Sequence, residues 1–480
     1  MEKYYVTTSI PYINGEPHIG HTYELLTADV LARYARKQGK NVIFSAGTDE
    51  HGGKIQEKAE ELGKPVKEYA DQMSQRWREL GPLVNMSNDR FIRTTDAGHE
   101  QRATLIWKAL EKNIYKGKYQ GWYCTGCETF VSEKIAKENN GTCLNHNRPY
   151  ERIEEENYFF RLSDYAKPIL AAIESESFRV IPETKRNEVL FVLKEGLEDI
   201  SVSRPKDKIS WGIPVPGDQK QVMYVWFEAL MNYLTVLGYP EHVDFKTFWP
   251  ADVQIIGKDI TRFHAIIWPA MLLGLGVDLP KCLYVHGFVN IDNQKVSKSL
   301  GNVIHPKEVI AKHGVDALRY YMLRHTPSYD DGDFSWEKFE NAYNNELAND
   351  LGNSVQRTVA MINKYQNGVI GDIPEFEHDA TAYHQALADC RFDQALEDVW
   401  DQIRGLSQYI DEQKPWQIAK EADKEHLTEV LAYMCSCLLE VADLLEPFLP
   451  ETARKISQTF ESGIVKPYAG AFFPKTDKNG

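Results

Sequence analysis

The sequence predicts an α/β fold in which a parallel sheet is interrupted by an inserted segment and followed by an all-α bundle. Three observations predict it. The first hundred or so residues alternate strand and helix signals. Residues from about 113 to 220 break that rhythm around a Cys/His cluster. From about residue 336 the pattern is helical almost to the end.

Each element has a local reason. YYVTTSI, at 4–10, is β-branched and aromatic and reads as a strand, and PYINGEP supplies turn residues after it. HTYELLTADVLARYARKQG then places Leu26, Val30 and Tyr34 on one helical face and stops at Gly39. NVIFSAG is a second short buried strand. This βαβ unit predicts a Rossmann-like parallel sheet that binds ligands at the carboxyl ends of its strands. Charged runs such as Glu154 to Glu156 mark the insertion, and strand signals return in QVMYVWF, DVQIIG and CLYVHGFVNI. Long amphipathic segments such as EHLTEVLAYMCSCLLEVADLLEPF make the last part a separate helical domain. The expected boundaries are 1–112 for the first half of the sheet domain, 113–220 for the insertion and 221–292 for the second half. A loop and linking region follow at 293–335, the helical domain at 336–470 and a tail at 471–480.

Composition narrows the class. A chain of 480 residues, 42% hydrophobic and 26% charged, is that of an ordinary globular protein of several folded units. No stretch reaches the roughly 18 apolar residues that cross a bilayer. The amino terminus reads directly as a strand rather than a leader, so a cytoplasmic protein with no membrane partner is expected. A net charge of −15 argues against nonspecific polyanion binding over the whole surface but leaves room for a local basic track. Seven cysteines, an odd number without an export signal, favour metal ligation over disulfides where they cluster.

Three motifs carry chemistry. His18-Ile19-Gly20-His21 falls between the first strand and the first long helix. Glycine there allows close approach of a ligand, the helix terminus favours phosphate, and two imidazoles can donate to a pentavalent phosphorus centre. Lys295-Val296-Ser297-Lys298-Ser299 can fold two lysines and two hydroxyls over a triphosphate. Taken singly, each is more often a solvated cap or loop. The third is Cys124-x2-Cys127 and Cys143-x2-His146, two tight pairs that fit a closed tetrahedral structural zinc site, one ion per chain. A redox Cys-x-x-Cys is the rival, made redundant by the second pair. Cys282, Cys390, Cys435 and Cys437 read as core residues.

The first two motifs, in this order and at the far ends of the sheet domain, resemble the HIGH and KMSKS signatures of class I aminoacyl-tRNA synthetases. Val296 replaces the methionine of the second. SIPYINGEPHIGH, AGTDEHG, YVWFEALMNYL and GKDITRFH further resemble the methionyl-tRNA synthetases, and the likeness runs from residue 4 to about 460. It implies a ligase that activates L-methionine with ATP and Mg2+ to the adenylate and then charges its tRNA, initiator and elongator alike. On that resemblance His18, His21, Lys295 and Lys298 are catalytic, and Gly20, Gly257, Asp259, Ser297 and Ser299 bind ATP, with Asp259 on the ribose. Ile10, Tyr12, Trp226, Ala229, Tyr233 and His264 would form the methionine pocket, with Asp49 receiving the ammonium. The insertion resembles the family's one-knuckle zinc form. The helical domain resembles its anticodon-binding bundle, with Asn353, Arg357, Pro415 and Trp416 at contact positions. A monomer is expected. The alternatives are another class I synthetase such as the cysteinyl one, a nucleotidyltransferase on a related fold, or a non-catalytic tRNA-binding paralogue.

Overall fold

The computed structural model describes residues 2–131, 133–144, 147–294, 303–376 and 379–475. Two compact units emerge. Met1–Pro17, Gln38–Pro82 and Ser87–Val285 form the first, and His18–Lys37, Leu83–Met86 and His286–Gly480 form the second.

The first unit is organised by a six-stranded sheet. β1 is Lys3–Thr8, β2 is Asn41–Thr48 and β3 is Arg90–Arg93. In space the order runs β3, β2, β1, Val253–Gly257, Cys282–His286, Arg179–Ile181. β1 lies parallel to both β2 and Val253–Gly257, with Tyr5 opposite Ile43 and Val6 opposite Val253. β2 is parallel to β3, and Cys282–His286 is parallel to Arg179–Ile181. The expected parallel sheet is present. Its last edge strand lies inside the stretch expected to be insertion, so the chain returns to the sheet for three residues in mid-insertion. Val253–Gly257 is buried along its whole length, as a central parallel strand covered on both faces must be. Trp107, Phe160, Phe227 and Trp268 fill the core of this unit, with Phe227 meeting Trp107 edge-on at 5.7 Å and Phe160 at a tilt at 5.8 Å.

The rest of the insertion is antiparallel. Ile114–Cys124 pairs with Glu151–Phe160 from Ile114 opposite Phe160 to Tyr123 opposite Glu151, and Thr129–Val131 and Ile200–Ser201 complete four strands. At its far end Cys124, Val131, Ala136, Cys143 and Tyr150 make a small apolar cluster of their own.

In the second unit, α1 (Ile19–Lys37) carries Asp29, whose carboxylate is fully buried. Arg319, also fully buried, meets it at 2.8 Å and donates to the carbonyls of Phe448, Val84 and Pro447 at 2.6, 3.1 and 3.1 Å. Helices begin at Pro306–His313, earlier than expected, and the bundle's long members are Phe392–Gln413 and Lys424–Leu445. Part of the expected tail packs here, since the Tyr343 hydroxyl donates to the Pro474 carbonyl at 2.9 Å. Cys390, Cys435 and Cys437 are buried, and Cys282 of the first unit is half-buried. Among the described residues no helix is long and apolar enough to cross a membrane.

Candidate active site

In the first unit, the carboxyl ends of three adjacent strands bring together residues expected to bind methionine and adenosine. Ile10 and Tyr12 follow β1, Asp49 follows β2, and Gly257 ends Val253–Gly257, with Asp259 and His264 just beyond. The turn after β1 is stitched across the end of β2. Asp49 N–H donates to the Pro11 carbonyl at 3.0 Å, and Ile13 N–H donates to the Asp49 carbonyl at 3.3 Å. Gly47 is needed in β2, because a Cβ there would come within 2.3 Å of the Ile92 carbonyl and 3.0 Å of Ile10.

The walls are aromatic. Tyr12 meets Trp226 edge-on at 5.7 Å, and Trp226 stacks on Phe263 at 4.1 Å. The Tyr233 hydroxyl donates to His264 Nε2 at 2.7 Å, while His264 Nδ1–H donates to the Ile260 carbonyl at 3.1 Å. The Ile260 carbonyl can only accept, so Nδ1 carries a proton, and in the neutral ring Nε2 is the acceptor for Tyr233. Phe263 and His264 open a short π-helical stretch, Phe263–Ile267, a backbone form that recurs at functional sites. Ala229 is buried beside Tyr233 on the preceding helical segment.

Asp49 is 2% exposed, and its Oδ1 has no hydrogen-bond partner among the described residues. Burial pushes its carboxyl well above the ordinary range, and the nearby Glu228 adds to that. Beneath it, Glu228 is held between His51 Nδ1 at 2.8 Å and His99 Nε2 at 2.9 Å. Burial alone would lower the His51 imidazole, but the carboxylates of Glu228, Glu100 and Asp49 together push it up to about 10. Gly257 is buried, and Asp259 is exposed at the start of Lys258–Ile260.

In the second unit, the His18 and His21 rings lie against each other at a 33° tilt, with centroids 3.8 Å apart. Gly20 N–H donates to His18 Nδ1 at 3.2 Å, and His18 N–H donates to His21 Nδ1 at 3.1 Å. Both rings therefore carry their proton on Nε2. Burial, with His18 alongside, drives His21 well below the usual imidazole range, so it stays neutral. Ile19 N–H donates to the Ile304 carbonyl at 2.9 Å, which ties this motif to the chain just past residue 302. Lys295, Ser297, Lys298 and Ser299 lie outside the described residues.

Cys124, Cys127 and Cys143 converge with their sulfurs within 4.8 Å of one another. Cys127 N–H points to Cys124 Sγ at 3.3 Å, and Cys127 Sγ is 3.5 Å from Cys143 Sγ. Burial pushes the Cys127 thiol up to about 12, with Cys143 next in effect. Three thiolates at this spacing need a cation to coexist, so the donor set fits a soft divalent ion such as zinc. The expected fourth ligand, His146, lies outside the described residues.

In the bundle, Asn353 is exposed and Arg357 lies one helical turn on, its guanidinium donating to Asp411 at 3.3 Å. Pro415 is buried at the start of Pro415–Glu421, and Trp416 next to it is 36% exposed.

Residues not foreseen include Phe263, the Glu228 pair of histidines, and Glu128. Arg204 is another, bound bidentately to Glu155 with both bonds at 2.9 Å and lying 4.2 Å over the Tyr123 ring. Phe263 lay in an already singled-out segment beside His264, as did Glu228 beside Ala229 and His51 in AGTDEHG, but nothing local marked their roles, and His99, Glu128 and Arg204 lay in no such segment.

Comparison with known proteins fixes the class. The family model described as tRNA synthetases class I (M) matches residues 4–152 and 137–359, so the chain carries a class I synthetase domain. The chain is 44% identical over 473 residues to the methionine–tRNA ligase of Caldanaerobacter subterraneus subsp. tengcongensis, covering 95% of this chain and 74% of that protein. It is 40% identical over 470 residues to that of Thermotoga maritima, with the same coverage of 95% and 74%. The solved structure of Mycobacterium tuberculosis methionyl-tRNA synthetase in complex with methionyl-adenylate superposes with a TM-score of 0.90 at 36% identity, over 99% of this chain and 100% of that one. The chain belongs to the methionine–tRNA ligase family.

Proposed function

We propose that this chain activates L-methionine with ATP and transfers it to the terminal adenosine of its tRNA, initiator and elongator. The observation that carries this reading is the buried Asp49 Oδ1, which has no hydrogen-bond partner among the described residues and whose backbone pairs with that of Tyr12 in the aromatic cluster. A buried carboxylate without a partner suits a substrate ammonium. Aromatic edges from Tyr12, Trp226 and the Tyr233–His264 pair suit a thioether, at about 0.3–1.5 kcal/mol per contact. Ile10 and Ala229 complete the apolar lining. Family membership supports the same assignment.

In the first step a methionine carboxylate oxygen attacks the α-phosphorus of ATP. The bond to the bridging oxygen breaks, and pyrophosphate leaves. In the second, a ribose hydroxyl of the tRNA attacks the adenylate carbonyl, AMP leaves, and the hydroxyl proton is lost. His18 and His21, neutral with Nε2–H donors, serve the growing negative charge on phosphate. Gly20 lets that charge approach the backbone. Gly257 and Asp259 would receive the adenosine and its ribose. Magnesium enters with ATP as part of the substrate. Lys295 and Lys298, with Ser297 and Ser299, are assigned to the pyrophosphate on their resemblance to the family's second signature. A cytoplasmic location fits a reaction fed by ATP and tRNA.

Cys124, Cys127, Cys143 and His146 would hold one zinc ion, which supplies a structural cross-link rather than chemistry. Asn353 and Arg357 would read base edges on an unpaired anticodon loop, with Pro415 and Trp416 as a stacking platform. Charging of unfractionated tRNA, with each of the twenty amino acids supplied in turn, tests the reading. Charging with methionine alone supports it. Charging with a different amino acid, or with none, overturns it.

A further inference from the structure

Glu128 follows the metal-site residue Cys127 directly, yet its side chain is buried, 3% exposed, in the first unit's site. Its backbone is left-handed, with φ at 50°, a conformation that costs a side-chain-bearing residue and suits glycine. A carboxylate kept at such a place has a task for its side chain. Its two oxygens divide between two elements of the site. Oε2 accepts the Tyr12 hydroxyl at 2.7 Å, and Oε1 accepts the Lys54 backbone N–H at 2.9 Å. Its carbonyl accepts the Tyr224 hydroxyl.

Lys54 is the second residue of α2 (Gly53–Glu61), and its N-cap, Gly52, has no side chain to cap with. Glu128 supplies that cap from 74 residues away in sequence. Gly52 fits against the carboxylate so closely that a Cβ there would lie 2.9 Å from Oε2. The loop between β2 and α2 carries Asp49, and Tyr12 faces Trp226. One carboxylate therefore grips both the ammonium-side loop and the aromatic wall.

We propose that Glu128 is a positioning residue for amino-acid binding, holding Tyr12 and the Asp49-bearing loop in register from the cysteine-rich turn. The proposal rests on the reading of the pocket as the methionine site. Glu128 touches no substrate in this scheme. It acts through Tyr12 and through the backbone at Lys54.

The test uses the full chain with its metal. Glu128→Gly suits the left-handed backbone and removes both grips. Glu128→Gln keeps the volume but turns one acceptor into a donor. Methionine affinity is read by calorimetry, KM and kcat by methionine-dependent pyrophosphate exchange, and zinc by metal analysis. The expected result for Glu128→Gly is a methionine Kd and KM raised on the order of tenfold or more. Its kcat should change much less and its zinc content should stay at the wild-type level. Glu128→Gln should fall between, and it should add little in a Tyr12→Phe background. Unchanged methionine affinity in Glu128→Gly, or independent effects of Glu128→Gln and Tyr12→Phe, would overturn the proposal alone. Loss of zinc together with affinity would also overturn it, by making Glu128 part of the metal turn's own folding. A wild-type protein that binds no methionine would overturn the functional reading, and this inference with it.

Discussion

Tyr233 and His264 act as one hydrogen-bonded unit: the phenol donates to Nε2 at 2.7 Å, and both side chains are almost fully buried. The imidazole's other nitrogen is already committed to the Ile260 carbonyl. Removing the hydroxyl would leave a buried acceptor unsatisfied, a cost of about 1–3 kcal/mol. Tyr233→Phe is therefore expected to raise the methionine KM on the order of tenfold, with a smaller effect on kcat. Exchange kinetics at varied methionine check this. An unchanged KM would remove the pair from the pocket.

Asp49 predicts a pH dependence of definite sign. Burial, then Glu228, raises its carboxyl well above the usual range. Only the ionised form can pair with an ammonium, so the methionine KM should rise as pH falls through that raised value. Asp49→Asn should bind methionine poorly at every pH and lose this dependence. The linkage for folding runs the other way. A carboxyl raised in the folded state favours folding while it stays protonated, and that advantage is lost as pH rises through the folded value. Asp49→Asn should accordingly melt no lower than wild type at neutral pH. A KM that is flat with pH in the wild type would contradict the role given to Asp49.

The cysteine cluster predicts about one zinc per chain in purified protein. Among the described residues, few apolar side chains hold that end of the insertion, namely Val131, Ala136 and Tyr150 beside the cysteines, with a partly buried Trp122 against them. Chelation should therefore expose the region around 124–150 to proteolysis before the rest of the chain. Metal analysis and limited digestion check both points. Protein that folds with no metal would refute the site.

Arg319 offers a test of the second unit. Its guanidinium pairs with Asp29 and ties three backbone carbonyls, all out of water. Arg33 also reaches Asp29, at 2.7 Å, so part of the compensation survives without Arg319. Arg319→Met should still cost about 3 kcal/mol, because three carbonyls and one carboxylate lose a buried donor. Urea unfolding measures it. A loss under about 1 kcal/mol would show that water or rearrangement replaces the donor.

Much of this was legible because it is local. β1, α1 and β2 follow from a change of hydrophobic period and a stop at Gly39, and paired cysteines announce themselves by spacing. The edge strand Arg179–Ile181 was not legible. Three residues are too few to show a period, and its partner lies about a hundred residues on. Glu128 and Glu228 were invisible for a related reason. A buried carboxylate looks like any charged residue until its partners arrive from distant segments. The π-helical turns at Phe263–Ile267 and Tyr343–Gly352 likewise carry no pattern that separates them from ordinary helix.

The most direct measurement of the central claim is amino-acid-dependent ATP–pyrophosphate exchange, run with all twenty amino acids in parallel. The account predicts exchange with methionine, and its loss in Asp49→Asn. Exchange with another amino acid instead of methionine, or none with any, would contradict it.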